Sequence, residues 1–594
     1  SAPSSTSGTA LGTFRLMTGS WEHTLKLGGE LTRGWFIDQR KRNGGMTWLP
    51  VNSSRFDPED PLTWSHLGSD WIPNMWGGEV NLDADVMNGA LFAQSSISVG
   101  SRVILSPGVR WSRWKGWITP TDWERFLAVE DQGLDPRMGI SVGLLEDGSF
   151  VAKGHWGRYH QNMISQMYDR VLGADVFTNQ EYWYYTGNPF SDPGTSFTKE
   201  QRDLMAQQGL FRKDGEVILN ETGPVEDYRQ PYVDQWLVAL EKQFSNWGKI
   251  EAIYTRRANK DMVALVDRNR DSNYTTFERV RVFDSSGSVL PFSGGSVLFQ
   301  ELRLPNYLLA ERLICLQTTD CPDALPIPGL TYADLPNLTW DPDYVLTTAP
   351  DAEREFEQFQ LNLELARPEW GGSLSFVATN LKGNLDNVSG YTDPEGYGAG
   401  QYVRVNEGVN SYGTLENFSD KEWKVSFWGI RPAQLRGGIF WTFQSGDHYS
   451  PQFRLYGLGS FRYKVNTGVM TPTGIPEKPG EELDYKLMWP LEGHNIYVGP
   501  RGRPTLTRRN NLDVRLERMF RFQNYEMSVS LDWFNVLQSD AVVSLNTMVN
   551  NGPDYGFNQS ESMFGSGIPP NQYYQAPQER VAPTALRFGL AVFF

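Results

Sequence analysis

The sequence predicts an all-β fold, a transmembrane antiparallel β-barrel of the outer-membrane type with short periplasmic turns and long extracellular loops. Three observations favour this fold class. The C-terminal segment, residues 586–594, alternates strictly between two kinds of side chain. Pairs of alternating segments flank very short turns, and long polar connections separate the pairs. The mean hydropathy is -0.45, and no run of about 18 apolar residues occurs, which excludes transmembrane helices.

The C-terminal segment carries the clearest strand pattern. Leu586, Phe588, Leu590, Val592 and Phe594 fall on one face, with Arg, Gly, Ala and Phe residues between them on the other. One apolar face and one small or charged face suit a wall between lipid and an aqueous lumen. The terminal Phe594 also resembles the C-terminal assembly signal of outer-membrane barrels, which implies the barrel assembly machinery as a partner. The alternative is an edge strand of a soluble β-sandwich.

Seven predicted hairpins precede this strand. With the final strand they predict about 15 strands in the chain. Residues 1–10 are polar and are predicted to form a flexible N-terminal segment, with the barrel over residues 11–594. The predicted strand pairs are 11–18 with 23–36, 91–99 with 103–114, 138–145 with 150–159, 236–244 with 250–263, 359–365 with 374–378, 423–429 with 438–443, and 512–519 with 527–534.

The connections between hairpins span roughly 25 to 85 residues, lengths that would be anomalous in a compact soluble domain. An odd strand count is also unusual, because single-chain bacterial barrels normally have even numbers of strands. We therefore expect this chain to be the C-terminal part of a larger, 22-stranded barrel. About seven strands and a lumen plug would come from an upstream segment or a second chain. Because the chain starts at Ser1 without an apolar leader, we also expect a signal peptide to have been removed.

Composition narrows the function further. The formal net charge of -16 argues against a nucleic-acid partner, which would need a basic face. The two cysteines, Cys315 and Cys321, predict a small extracellular disulfide loop, with two free thiols as the alternative. No phosphate-binding loop or nucleophile motif appears in a strand-to-helix context, so an enzyme is not expected.

Nine segments carry a resemblance to a known family: residues 23–30, 91–94, 108–111, 136–140, 232–236, 440–451, 511–517, 531–537 and 587–589. They resemble the barrel of TonB-dependent outer-membrane receptors, in particular the Oar-like branch. The resemblance implies a 22-stranded barrel, an N-terminal plug with a TonB-contacting segment and often an additional β-sandwich domain. It also implies the outer membrane of a Gram-negative bacterium and a TonB-type energy-transducing complex as partner.

Charged and amide side chains on the polar faces of the strands are candidates for the lumen surface. Such residues could contact a plug or a substrate, and the alternative is that they pair with one another inside the wall. The candidates are Lys26, Glu30, Arg110, Gln360, Asn362, Glu364, Asp513, Arg515 and Glu517.

Ligand capture is predicted for aromatic residues in the long loops, where rings can stack on sugars or peptides. The candidates are Trp71, Trp76, Trp114, Trp117 and Trp123. An aromatic girdle at the membrane interface or packing within a loop would use the same residues.

One segment has the oxygen spacing of a calcium-binding loop, with the candidate ligands Asp267, Asn269, Asp271, Asn273 and Glu278. The required glycine is replaced by serine, and two intervening arginines oppose a cation, so a solvated loop is the alternative. His155 and His160 are five residues apart and have no third ligand for zinc in the pattern. No cofactor is required.

Three functions remain open at this point. The first is a TonB-dependent receptor that binds a substrate in its extracellular loops and imports it through a plugged barrel. The second is a structural or interaction protein that scaffolds a surface assembly without transport. The third is a passive porin, which needs a vacant lumen.

Overall fold

A computed structural model represents the protein. It describes residues 2–19, 21–40, 46–50, 71–76, 80–119, 124–162, 179–185, 211–218, 224–244, 246–268, 274–277, 280–281, 291–292, 295–296, 298–299, 302–305, 334, 344–349, 352–385, 412–431, 434–455, 462–466, 482–486, 494–497, 501–522, 525–548 and 573–593.

The described residues form 34 strands. The first half of the chain contains β1 (Ala2–Thr18), β2 (Trp21–Arg40), β3 (Met46–Pro50), β4 (Trp71–Trp76), β5 (Val80–Val99), β6 (Val103–Thr119), β7 (Phe126–Gly143), β8 (Phe150–His160), β9 (Asn179–Tyr185), β10 (Phe211–Ile218), β11 (Tyr232–Phe244), β12 (Gly248–Lys260), β13 (Val263–Asp267), β14 (Tyr274–Phe277), β15 (Val280–Arg281), β16 (Pro291–Phe292) and β17 (Gly295–Ser296). The second half contains β18 (Leu298–Phe299), β19 (Leu302–Pro305), β20 (Tyr344–Thr348), β21 (Arg354–Ala366), β22 (Trp370–Gly383), β23 (Gly413–Thr414), β24 (Lys421–Arg431), β25 (Leu435–Gln444), β26 (Gln452–Leu455), β27 (Arg462–Asn466), β28 (Glu482–Lys486), β29 (His494–Tyr497), β30 (Arg509–Arg521), β31 (Glu526–Phe534), β32 (Val542–Leu545), β33 (Pro577–Arg580) and β34 (Ala585–Phe593).

One antiparallel sheet of 16 strands dominates the fold. Its neighbouring strands follow the chain in the order β1-β2-β5-β6-β7-β8-β11-β12-β21-β22-β24-β25-β30-β31-β34, and the two-residue β23 pairs with β22 beside this path. All seven predicted hairpins and the final strand lie in this sheet. The predicted all-β antiparallel fold with about 15 strands is therefore confirmed.

Neighbouring strands of the sheet run in opposite directions, so every second connection along the path lies at the same end. The seven hairpin turns share one end, which we call the short-turn end. Gly19 and Gly100 have φ angles of 64° and 61°, a left-handed conformation that favours glycine in tight turns. The opposite end, the long-connection end, receives the connections of tens of residues, including 161–231 and 445–508. The predicted alternation of short and long connections thus matches the sheet, except between β6 and β7.

Two predicted boundaries are wrong. Residues 2–10, predicted as a flexible segment, belong to β1 and pair with residues 29–37 of β2. A β-strand can form there because backbone hydrogen bonds to a regular neighbour do not require apolar side chains. The predicted long connection after residue 114 is also short: β6 continues to Thr119 and β7 begins at Phe126.

The two faces of the sheet differ in character. One, the apolar face, exposes large side chains: Leu91 is 61% exposed, Trp236 55%, Phe588 78% and Leu590 69%. The other, the polar face, carries most of the charged residues of the strands and, toward the long-connection end, a small buried core that includes Ala84, Val86, Trp114, Ile118 and Val129. The exposure is thus opposite to that of a soluble sheet, whose large apolar residues face a core.

The sheet has two edges. Among the described residues, β1 pairs only with β2 and β34 pairs only with β31. The connections build smaller sheets of their own, including a four-stranded sheet in the order β10-β9-β4-β3. The part of the chain that the structure describes contains no helix long and apolar enough to cross a membrane.

Candidate functional site

The polar face is the candidate site because the register brings the predicted lumen residues to it. Glu30 lies opposite Ala90, which lies opposite Ser112, and Arg110 lies on the same face two residues away. Residues directly opposite in neighbouring strands point to the same side. The same register places Gln360, Asn362 and Glu364 of β21 and Asp513, Arg515 and Glu517 of β30 on this face. Lys26 of β2 also belongs to it, and both Lys26 and Glu364 are exposed.

Glu30 and Arg110 form an ion pair across two strand boundaries. Arg110 Nη1 lies 2.9 Å from Glu30 Oε2, and Arg110 Nε donates to Ser112 Oγ at 3.1 Å. Both charged side chains are about a quarter to a third exposed, at 23% and 31%. These two residues therefore pair with each other inside the wall, which was the alternative to contact with a plug or a substrate.

A second group of polar residues, which we call the terminal cluster, joins the last three strands of the sheet. Asp532 is only 8% exposed and receives Arg587 Nη2 at 2.7 Å and Arg515 Nη1 at 3.3 Å. Glu517 accepts from Ser528 Oγ at 2.6 Å and lies 3.6 Å from Arg515 Nη2. The side chains of Arg515 and Arg587 stay 50% and 65% exposed, so guanidinium donors remain for an anionic group that approaches this face of the sheet.

Amide side chains continue the polar face between these charged groups. Gln360 Nε2 and Ser375 Oγ both donate to Asn362 Oδ1, at 3.1 and 2.9 Å. Asp513 accepts from the backbone N–H of Asn535 at 2.8 Å. These contacts fix side chains along the wall, since each acceptor already has a donor within the sheet.

An aromatic and charged group at the long-connection end was not predicted as a site. We call it the Asp135 cluster, consisting of Trp114, Asp135, His160 and Tyr232. Asp135 is 2% exposed and lies 2.5 Å from His160 Nδ1. The His160 ring lies between Trp114 and Tyr232, with centroid distances of 5.2 and 5.1 Å. The separation of 25 residues between Asp135 and His160 gave no sequence signal for this contact.

A second group at the same end, the His448 cluster, ties connections to β24 and β30. His448 Nδ1 lies 2.6 Å from the Gly502 carbonyl, and its Nε2 lies 2.7 Å from Asp420 Oδ1. Ser450, which is 1% exposed, accepts from the Gly502 N–H at 2.8 Å. Arg509 at the start of β30 pairs with Asp447. Segment 440–451, one of the segments that carry the sequence resemblance, therefore contributes His448 and Ser450 to this cluster.

The predicted loop tryptophans need a correction. Trp114, the last residue of the predicted strand 103–114, and Trp117 both lie in β6, which extends five residues beyond that predicted end. Trp114 is 1% exposed and packs in the Asp135 cluster. Trp71 and Trp76 are the end residues of β4 in the four-stranded sheet, and Trp123 lies outside the described residues. Their predicted role in ligand capture stays a prediction.

Several other candidates fall wholly or partly outside the described residues. Of the possible calcium ligands, Asp267 ends β13, where its backbone pairs with Tyr344. Asn269, Asp271, Asn273 and Glu278 are not described, nor are Cys315, Cys321 and Phe594. His155 and His160 belong to separate contacts, since His155 Nε2 lies 2.5 Å from the Tyr159 hydroxyl. Among the described residues, no group of three or more His, Cys, Asp or Glu side chains could hold a metal ion.

Comparison with known proteins finds no matching family model and no matching curated protein. Among solved structures, the chain is similar to the outer membrane transporter YddB from Escherichia coli, with 12% identity and a TM-score of 0.46, covering 99% of this chain and 53% of that one. It is also similar to the ferric enterobactin receptor PfeA from Pseudomonas aeruginosa, with 10% identity, a TM-score of 0.44 and coverage of 100% and 54%. A third similar structure is BauA, the ferric preacinetobactin receptor from Acinetobacter baumannii, with 8% identity and a TM-score of 0.42, covering 100% of this chain and 54% of that one. The chain spans about half the length of these structures.

Proposed function

We propose that the chain forms part of the barrel wall of a TonB-dependent receptor in the outer membrane of a Gram-negative bacterium. The observation that supports this most is the reversal of exposure across the sheet. Leu590 is 69% exposed on one face, whereas Asp532, on the neighbouring strand and the other face, is 8% exposed between two arginines. Lipid against the apolar face removes those side chains from water, and a polar lumen accommodates the opposite face.

The orientation follows from the connections. Short turns belong on the periplasmic side of such barrels and long connections on the extracellular side. The Asp135 and His448 clusters then lie at the extracellular rim, where they anchor the connections that capture substrate. The structure of PfeA is described as a complex with enterobactin. A ligand of that general kind, too large for a porin, is a reasonable first class to test for this protein.

The polar face would contact a plug in the lumen. Arg515 and Arg587 retain exposed guanidinium donors although both contact Asp532. A plug carboxylate could accept from these donors without breaking the pairs already made. The plug and further strands would come from an upstream segment or a second chain, and energy from a TonB-type complex. The barrel assembly machinery would insert the wall, and membership of the Oar-like branch belongs to the same proposal.

A scaffold at the cell surface is the second candidate. The four-stranded sheet of β3, β4, β9 and β10 favours it, because connections that build their own sheet provide a regular surface for a partner. This function needs neither a plug nor energy transduction.

The two candidates differ in their periplasmic partners. The native protein should be extracted from outer membranes, and its polypeptides identified by intact mass. It should then be tested for binding to the periplasmic domain of TonB. A receptor is expected to carry a plug-bearing segment and to bind TonB, and deletion of the segment that contacts TonB should abolish binding. A protein that carries no plug and does not bind TonB would contradict the receptor proposal and favour the scaffold.

A further inference from the structure

A groove of about 630 Å³ crosses the apolar face at β1, β2, β5 and β6. It exists because Gly29 and Gly89 carry no side chains where Leu31, Leu91 and Trp111 rise on either side. Leu31 is 54% and Leu91 61% exposed, so the walls of the groove are apolar and open outward. Apolar walls of this kind suit an extended hydrocarbon chain, since a chain of methylenes gains from contact with them.

Basic side chains border the groove at its long-connection end. Arg113 lies directly opposite Gly89 in the register, and Lys115 lies one row higher, opposite Met87 and Glu130. Arg113 Nε donates to Glu130 Oε1 at 3.0 Å, and Lys115 Nζ lies 3.2 Å from the same oxygen. Two cations thus share one carboxylate.

A second pair of cations shares a carboxylate closer to the long-connection end. Arg33 Nε donates to Asp85 Oδ1 at 2.9 Å, and Arg125 Nη2 lies 2.9 Å from Asp85 Oδ2. Asp83 is the other carboxylate near this pair. Four cations therefore stand against three carboxylates in a protein whose net charge is -16. Arg33, Arg113 and Arg125 are each at least half exposed, so their free N–H donors face outward.

We infer that this groove and its basic border bind a membrane lipid whose phosphate headgroup carries a net negative charge. One acyl chain lies along Gly29 and Gly89, and the phosphate accepts a hydrogen bond from Arg113 at the level where the apolar face ends, with Arg33 as a further cation on the same border. Guanidinium groups suit a phosphate because they offer paired donors in a planar fork. The inference rests on the proposed membrane location, since the groove opens onto the face proposed to contact lipid.

Two variants separate the parts of the site. Arg113→Gln removes one cation and leaves Glu130 paired with Lys115. Gly89→Val fills the groove, and the backbone can accept it because an added Cβ would meet only Leu31 Cδ1, at 3.8 Å. The matched control is Arg256→Gln, which also removes an arginine that pairs with glutamates, but on β12, away from the groove. Arg33→Gln is a second test of the border, because Asp85 keeps Arg125.

Native mass spectrometry of the full-length protein in detergent measures the lipid affinity directly. The probes are phosphatidylglycerol and phosphatidylcholine with identical acyl chains, and glycerol phosphate without chains. We expect about fivefold tighter binding of phosphatidylglycerol, the contribution of one cation near a lipid headgroup. Arg113→Gln and Arg33→Gln should each reduce this preference, Gly89→Val should weaken both lipids, and Arg256→Gln should change neither.

Equal affinity for the two lipids in the unaltered protein would overturn the inference, as would an undiminished preference in both border variants. Displacement of the lipid by glycerol phosphate at equal concentration would show a simple anion site and would also overturn it. Flotation of the protein with liposomes on a density gradient tests the membrane location separately. If the protein floats with liposomes but shows no headgroup preference, the result contradicts the lipid site and leaves the membrane location supported.

Discussion

At Asp532 two arginines from different strands converge on one nearly buried carboxylate. This residue ties together the last three strands of the sheet, and one of these is the edge strand β34. The sequence predicted that Arg515 and Glu517 face the lumen, because their alternation within one strand defines a face. It could not identify Asp532 as their common partner, because a cross-strand contact depends on the register between separate segments.

Asp532→Asn tests the terminal cluster. The amide keeps the shape but loses the charge that both guanidinium groups contact, so we expect the free energy of unfolding to fall by about 1–3 kcal/mol. Urea titration in liposomes, followed by tryptophan fluorescence, measures the loss. Ser530→Ala, on the same strand and face, should change stability by less than about 0.5 kcal/mol. An unchanged stability in Asp532→Asn would show that the cluster does not hold the edge strand.

The substitution Gly446→Ala tests the backbone packing beside the His448 cluster. A Cβ added at this glycine would lie 1.7 Å from the Leu506 carbonyl oxygen, which is backbone and cannot rotate away. We expect Gly446→Ala to cost about 1–3 kcal/mol through forced backbone shifts and to increase protease cleavage in the adjoining connection. Gly89→Ala is the control, because the nearest atom to its added Cβ is 3.8 Å away. Equal protease resistance of the two variants would contradict the tight backbone contact at Gly446.

For individual strands, the sequence predicted the ends near the short turns more accurately than the ends near the long connections. For β7 the predicted and observed ends near the turn differ by two residues, 145 against Gly143, whereas the observed start is Phe126 against a predicted 138. Near the turn one face is uniformly apolar and the alternation is clear. Farther up, β7 contains Glu130, Asp131, Gln132 and Asp135, so both faces are polar and the period-two signal disappears. The same loss of contrast explains why residues 2–10 of β1 and the end of β6, which includes Trp117, were not predicted as strand.

Strand β34 offers a test of what covers the apolar face. In a soluble protein, replacing the 69% exposed Leu590 by arginine would change stability by about 0.5 kcal/mol or less. Against lipid, the same Leu590→Arg change should cost about 2–4 kcal/mol near the middle of the bilayer. Leu586→Arg, closer to the long-connection end on the same face, should cost about 1 kcal/mol or less, because the penalty falls toward the interface.

Unfolding titrations of these two variants in liposomes compare the two depths directly. A negligible cost at Leu590, or an equal cost at both positions, would contradict a lipid-covered strand.

At the scale of the whole molecule, the sheet separates two environments. Every strand from β2 to β31 on the main path has a neighbour on both sides, and large exposed apolar side chains such as Leu91 and Phe588 lie on the face opposite Glu30 and Asp532. Strand number and hairpin order could be predicted because each hairpin is local in sequence. The Asp135 and His448 clusters could not, since each joins residues from connections and strands that are distant in the chain.

The accessibility of nitroxide labels in membranes tests whether the apolar face contacts lipid and the polar face an aqueous lumen. Single cysteines replace Phe588 and Leu590 on the apolar face and Ser530 and Ala591 on the polar face, in a background with Cys315→Ser and Cys321→Ser. We expect the labels at 588 and 590 to collide more with oxygen, which concentrates in lipid, than with a water-soluble nickel chelate. The labels at 530 and 591 should show the opposite order. Equal accessibility at all four positions, or nickel accessibility at 588 and 590, would contradict the account.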